Sequence, residues 1–243
     1  MHDRQCLATL TFSSLFAIAS PLVAGENPWK HEVEAGLNGA SGNSESLTLH
    51  AGHTSRYKDA DHGWKIAAAY DRAKSDGAVS RNQFFADLLK DWYWHESPWF
   101  AFAQGRYDWD DFQDWDDRLS ASGGVGYEFL DDDTWYLAGR FGLGGNKTYG
   151  GANQTFTPEA ILSLDAAWTI SKYEVVDFKT TFYPSLEESG EYRNITHFSW
   201  KMAMGDSRNL AMKIGLSNEY DSLAAPGTET NDFKYNLSLV WAL

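Results

Sequence analysis

The chain has a single cysteine, Cys6, among 243 residues, only six prolines, and 20 basic residues against 34 acidic ones. Each shortage excludes something. One thiol allows no internal disulfide and no thiolate metal site. A formal net charge of −14 offers no basic face to a nucleic acid. After the N-terminal segment no run of ~20 apolar residues occurs, so no membrane-crossing helix is expected. No Gly-x-Ser-x-Gly elbow and no His-Glu-x-x-His pair is present either. What the chain does have is rings: 11 Trp, 12 Tyr and 14 Phe, with 21 Gly. Its mean hydropathy is nevertheless polar, at −0.47. Many rings in a polar average suggest strands in which aromatic and polar residues alternate.

Residues 1–24 have the layout of a secretory signal peptide. A short polar start with Arg4 precedes an apolar stretch from Cys6 to Ala19, then Pro21 to Ala24 and Gly25. Cleavage is expected after Ala24 or Gly25. Cys6 lies ahead of the apolar stretch without a small-residue box, so a lipid anchor is not expected. The mature chain, 25–243, would then contain no cysteine.

From residue 25 on, apolar residues recur at every second position, the period of a strand with unlike faces. Trp29, Val33, Ala35 and Leu37 open the series. Phe233, Tyr235, Leu237, Leu239, Trp241 and Leu243 close it. Twelve such sets can be counted, or ten if the weaker pattern around 174–204 is divided differently. The prolines after Pro21 fall at set ends or between sets, where no ladder hydrogen bond is lost. Connections after even-numbered sets are compact, such as His95–Pro98 and Asp131–Thr134. Most after odd-numbered sets are longer, such as Asp110–Asp116 and Asp221–Asn231. A tight Gly42-Asn43-Ser44 turn is expected after the first set.

This pattern predicts an all-β, antiparallel, up-and-down transmembrane β-barrel. A soluble sandwich would alternate as well, but two features favour lipid. The large rings gather at the two ends of the sets while Ala, Leu, Ile, Val and Gly fill the middles, as two membrane–water interfaces require. The last set also runs to the final residue, like the C-terminal strand read by the barrel assembly machinery, although it ends in Leu243 where that signal has an aromatic. Closure of the barrel would leave no unpaired backbone edge in lipid. The surroundings expected for such a chain are outer-membrane lipid and lipopolysaccharide, reached by export with a cleaved signal.

The opposite parity carries charge of both signs. Glu32, Glu34, Lys65, Asp71, Asp87, Asp91, Arg106, Asp108, Arg118, Glu128, Arg140, Glu159, Asp165, Lys179, Arg193, Lys201, Lys213 and Lys234 are expected to point inward. Asp87, Asp91, Arg106, Arg118, Arg140, Asp165 and Lys201 are the leading lumen candidates. Such a lumen can be filled by paired charges and water, or can pass small ions or solutes. Lys90 falls on the lipid parity beside Trp92 and is expected to snorkel to the interface. An acidic stretch holds Asp108, Asp110, Asp111, Asp114, Asp116 and Asp117, interleaved with Trp109, Phe112 and Trp115. Carboxylates are hard-cation ligands, but the spacing lacks the glycine and terminal Glu of an EF-hand. A solvated rim is the expected role, and no metal or cofactor is implied. Of the histidines only His50 and His197 sit mid-strand on the inner parity, and no triad is legible. A catalytic role is not expected.

Several stretches resemble the YdiY-type family of salt-induced outer-membrane proteins. They are Gly36-Leu-Asn-Gly-Ala-Ser-Gly-Asn-Ser44, Asp117-Arg118-Leu119 with Gly124-Val-Gly-Tyr127, Trp135–Gly145, and Pro226-Gly with Asp232 to Leu243. The resemblance runs over essentially the whole mature chain and rests on turn and barrel residues. It implies an outer-membrane location and a link to salt or osmotic conditions, and supplies no catalytic residues. The leading expectation is a small channel; the alternatives are a structural envelope barrel with a charge-filled lumen and no transport and, behind it, an outer-membrane hydrolase.

Overall fold

The computed structural model describes residues 28–40, 46–151, 154, 156–205, 209–222 and 230–243, and the side chains of all of these but 38–40. The expected signal segment and the Gly42-Asn43-Ser44 turn lie outside the described residues. Twelve strands follow in order: β1 (Trp29–Ala40), β2 (Ser46–Lys58), β3 (His62–Ser75), β4 (Ala78–Tyr93), β5 (Trp99–Asp110), β6 (Asp117–Asp131), β7 (Trp135–Tyr149), β8 (Phe156–Ser171), β9 (Glu174–Pro184), β10 (Tyr192–Met204), β11 (Leu210–Asp221) and β12 (Asn231–Ala242). Each pairs antiparallel with its sequence neighbour, and β1 closes on β12. The expected fold is thus the observed one, with twelve strands and not ten. The closing ladder is short, from Glu32↔Ala242 to Ala35↔Leu239, and Leu243 N–H extends it by donating to His31 C=O at 3.0 Å.

Local chemistry sets the turns at the end that carries β1's start and β12's finish. Asp59 accepts the N–H groups of Asp61 and His62, and Asp132 those of Thr134 and Trp135, at 2.6–2.8 Å. Those last two donors hold the Asp132 carboxyl below the ordinary Asp range. Such side-chain-to-backbone bonds close a turn in few residues. The opposite end carries the longer connections, those after β5, β7, β9 and β11. β3 and β4 are joined by Asp76 and Gly77 alone, at φ 49° and 80°. Both central residues have positive φ, as a type I′ hairpin turn requires.

The faces are inverted relative to a globular protein. Leu37, Leu119, Phe141, Leu143, Phe156 and Leu239 all point outward and are more than half exposed. Buried instead are Asp91, Asp108, Arg118, Arg140, Glu159 and Arg193. A continuous apolar outer wall with charges inside is what lipid outside and water inside would select. Rings mark both ends of that wall. Trp135 stacks on Trp168 with centroids 5.0 Å apart, and Trp99 meets Tyr127 edge-on at 4.9 Å near the turn end. At the loop end Tyr192 stacks on Tyr220 at 5.2 Å and packs on Phe182 at 5.1 Å. Lys90 lies on the outer wall as expected, its ammonium 4.3 Å from the Trp64 ring centroid.

Candidate functional site: the charged lumen

Alternation alone turns every second side chain of each strand inward. The seven leading lumen candidates all point there. Arg140 on β7 bridges Asp91 on β4, at 2.9 Å, and Asp165 on β8. Lys201 on β10 bonds Glu32 on β1, which Arg56 also reaches at 3.2 Å. Arg106 chelates Asp108 two residues along β5 at 2.6–3.1 Å. Asp87 accepts Gln104 Nε2 at 2.5 Å. Other inner charges pair as well. Arg193 grips Glu159 through two nitrogens at 2.9–3.0 Å, and Lys213 bonds Glu34 at 2.6 Å. His50 uses both ring nitrogens, on Glu34 at 2.6 Å and on Asp71 at 2.7 Å.

One of these pairs spans the barrel. Arg118 on β6 donates to Glu219 on β11 at 2.7 Å, although five strand steps separate the two around a ring of twelve. Arg118 also lies 3.7 Å from Asp108 and over the Trp115 ring at 4.7 Å. The connection between β5 and β6 thus folds an indole onto the brace. At the turn end Lys58 from β2 reaches Glu128 and Asp131 at the end of β6, both at 2.8 Å. Glu219, Arg56 and Lys58 were not singled out in the sequence. Their parity was the available signal, since each lies an odd number of positions from the outward residues of its strand.

The lumen is not all charge. Leu89, Phe100, Phe102 and Ala138 form a buried cluster flanked by Tyr93 and Tyr136. Charge and apolar cluster meet where Arg140 lies over the Phe100 ring at 5.0 Å. Two glycines make room for the rings. A Cβ on Gly126 would sit 2.1 Å from Phe100 Cζ, and one on Gly142 would sit 2.9 Å from Phe102 Cζ. The glycines of Gly124-Val-Gly-Tyr127 and of the Trp135–Gly145 stretch therefore have a packing reason.

The acidic stretch does not converge. Asp108 belongs to the lumen wall. Asp117 accepts the Tyr107 hydroxyl on the outer face, and Asp111 accepts Asn82 Nδ2 at 2.6 Å. Asp110 lines the lumen, while Asp114 and Asp116 pack against Gly151 and Gly150. Among the described residues no three His, Cys, Asp or Glu side chains are grouped to hold a metal ion.

Between braces and apolar cluster a cavity of about 690 Å³ remains. Its lining runs from Lys30 and Lys58 at the turn end to Asp110 and Gln113 at the loop end. The protein is therefore a closed twelve-stranded antiparallel barrel of outer-membrane type, with a charged, incompletely filled lumen. The chain belongs to the family described as protein of unknown function, DUF481, whose pattern it matches over residues 33–243. No curated protein matches it. Among solved structures it is similar to the NanC porin, at 10% identity and a TM-score of 0.51, covering 88% of this chain and 100% of that one. The translocator domain of the autotransporter NalP from Neisseria meningitidis matches at 8% identity, TM-score 0.46 and 89% of each chain. At these identities the likeness concerns fold.

Proposed function

We propose that the protein is a narrow water-filled channel of the bacterial outer membrane, passing small ions or solutes, with β1's start and β12's finish in the periplasm. The observation that carries this is the cavity that continues past the cross-lumen braces, lined by charge of both signs. Its apolar outer wall and paired aromatic belts support membrane residence. Lipopolysaccharide as its outer neighbour, export by a cleaved signal, insertion by the assembly machinery and abundance that answers to salt are parts of the same proposal. Membrane fractionation of cells shifted to high salt tests the last of these. A structural barrel is the competing reading, and the Arg118–Glu219 brace is what favours it. Planar-bilayer recording separates the two. Discrete conductance steps are expected of the channel, and an electrically silent, folded barrel would reject it. The proposal includes no catalysis. Lipid- and peptide-hydrolysis assays on the purified protein, with His50 and His197 substituted, check that.

A further inference from the structure

Most lumen charges are committed to partners, which makes the uncommitted ones informative. Lys65 on β3 makes no ion pair among the described residues, yet its side chain points into the cavity. Six strand steps away, on the opposite wall, stands Lys179 of β9. Its nearest carboxylate, Asp165, is 3.8 Å off and already bound by Arg140. His197 of β10 is the direct cross-strand neighbour of Lys179, with Ser217 of β11 on its other side. The His197 ring is exposed to the cavity and has no hydrogen-bond partner among the described residues.

The same cavity is lined by the carboxylates Asp87, Asp165 and Asp177. Asp165 is held by Arg140, Asp87 accepts Gln104 Nε2, and among the described residues neither Asp87 nor Asp177 comes within ion-pair distance of Lys65 or Lys179. In a confined, low-dielectric space an ammonium group without a close carboxylate attracts a counter-charge strongly. Ammonium groups facing each other, with an imidazole and a hydroxyl between neighbours, offer donors from both sides of one volume.

We propose that Lys65, Lys179, His197 and Ser217 form a mid-lumen binding site for small oxyanions of the carboxylate and phosphate class. Lys65 closes on the anion from one wall, and Lys179 with its two cross-strand neighbours receives it on the other. The two lysines supply charge, while imidazole and hydroxyl supply directed hydrogen bonds. The site's action as a selectivity element rests on the channel reading; binding itself does not.

Two measurements on the folded full barrel keep these apart. Inorganic phosphate titrated calorimetrically into detergent-folded protein should give saturable heat. That heat should vanish in Lys65→Gln and in Lys179→Gln, with heat-modifiable gel mobility confirming that each variant is folded. In planar bilayers under a KCl gradient, wild type should prefer chloride, and Lys65→Glu should move the chloride-to-potassium permeability ratio toward potassium by about tenfold. No saturable phosphate binding, or binding indifferent to both lysines, overturns the site even if the barrel conducts. Phosphate binding lost in both variants, in a barrel without conductance, upholds the site and rejects the channel.

Discussion

Arg140 holds Asp91 and Asp165 from a side chain only 5% exposed. Removing one member of a buried ionic group leaves the others charged and unpaired, at about 3–5 kcal/mol. Arg140→Ala is therefore expected to lower unfolding free energy by that order, read by urea titration in lipid vesicles. Phe100 depends on an absence instead. Gly126→Ala would push a methyl group into its ring, and overpacking of that kind costs about 1–3 kcal/mol. The same titration reads it, and Phe100→Leu in the Gly126→Ala background should restore part of the loss. The charges were legible as inward from parity. The rings were not, because the start of β5, Trp-Phe-Ala-Phe-Ala, is apolar on both parities. Trp99 and Ala101 claim the outer face there, which hides Phe100 and Phe102 on the inner one. The partners of Arg118 were illegible for another reason. Alternation fixes the face of a residue, but not which far strand its side chain reaches.

Among the elements, β3 and β4 run further than their apolar alternation. The alternation lapses after Tyr70 and resumes at Phe84, and between them lie Arg72, Lys74 and Asn82. Strand residues that project beyond the hydrocarbon layer need no apolar face, so hydropathy falls silent where the ladder continues. The turn itself was written in the chain as Asp76-Gly77, a dipeptide suited to paired positive φ. Gly77 has φ of 80°, which an L side chain tolerates poorly. Gly77→Val is expected to cost about 1–2 kcal/mol, while Gly105→Val, with open space around its Cβ and no positive φ, should cost less. Vesicle unfolding of the two variants side by side checks this. The other connections were legible as short or long, but the seam between β1 and β12 was not. Its register depends on closing the whole ring, which no local pattern encodes.

For the molecule as a whole, the polar average and the aromatic load describe two surfaces of one wall. The net charge of −14 does not reside in the lumen, where cations and carboxylates largely meet in pairs. The brace from Arg118 to Glu219 makes the lumen narrow without filling it. Glu219→Ala is expected to raise single-channel conductance over wild type, since Arg118 keeps only Asp108 and Trp115 on its own side of the barrel. Equal conductance would place the constriction elsewhere. The inside-out arrangement underlies every one of these statements, and the scarcity of cysteine makes it directly testable. Cys6 is the sole thiol of the chain, so in a Cys6→Ser background a single cysteine placed from Gly25 onward has no competitor. Ser199→Cys and Ser217→Cys face the cavity, whereas Leu162→Cys and Leu164→Cys face outward. In barrels folded into lipid vesicles, a small membrane-impermeant thiol reagent should modify the first pair and leave the second unmodified. Modification of the leucine positions with protection of the serine positions would contradict the account.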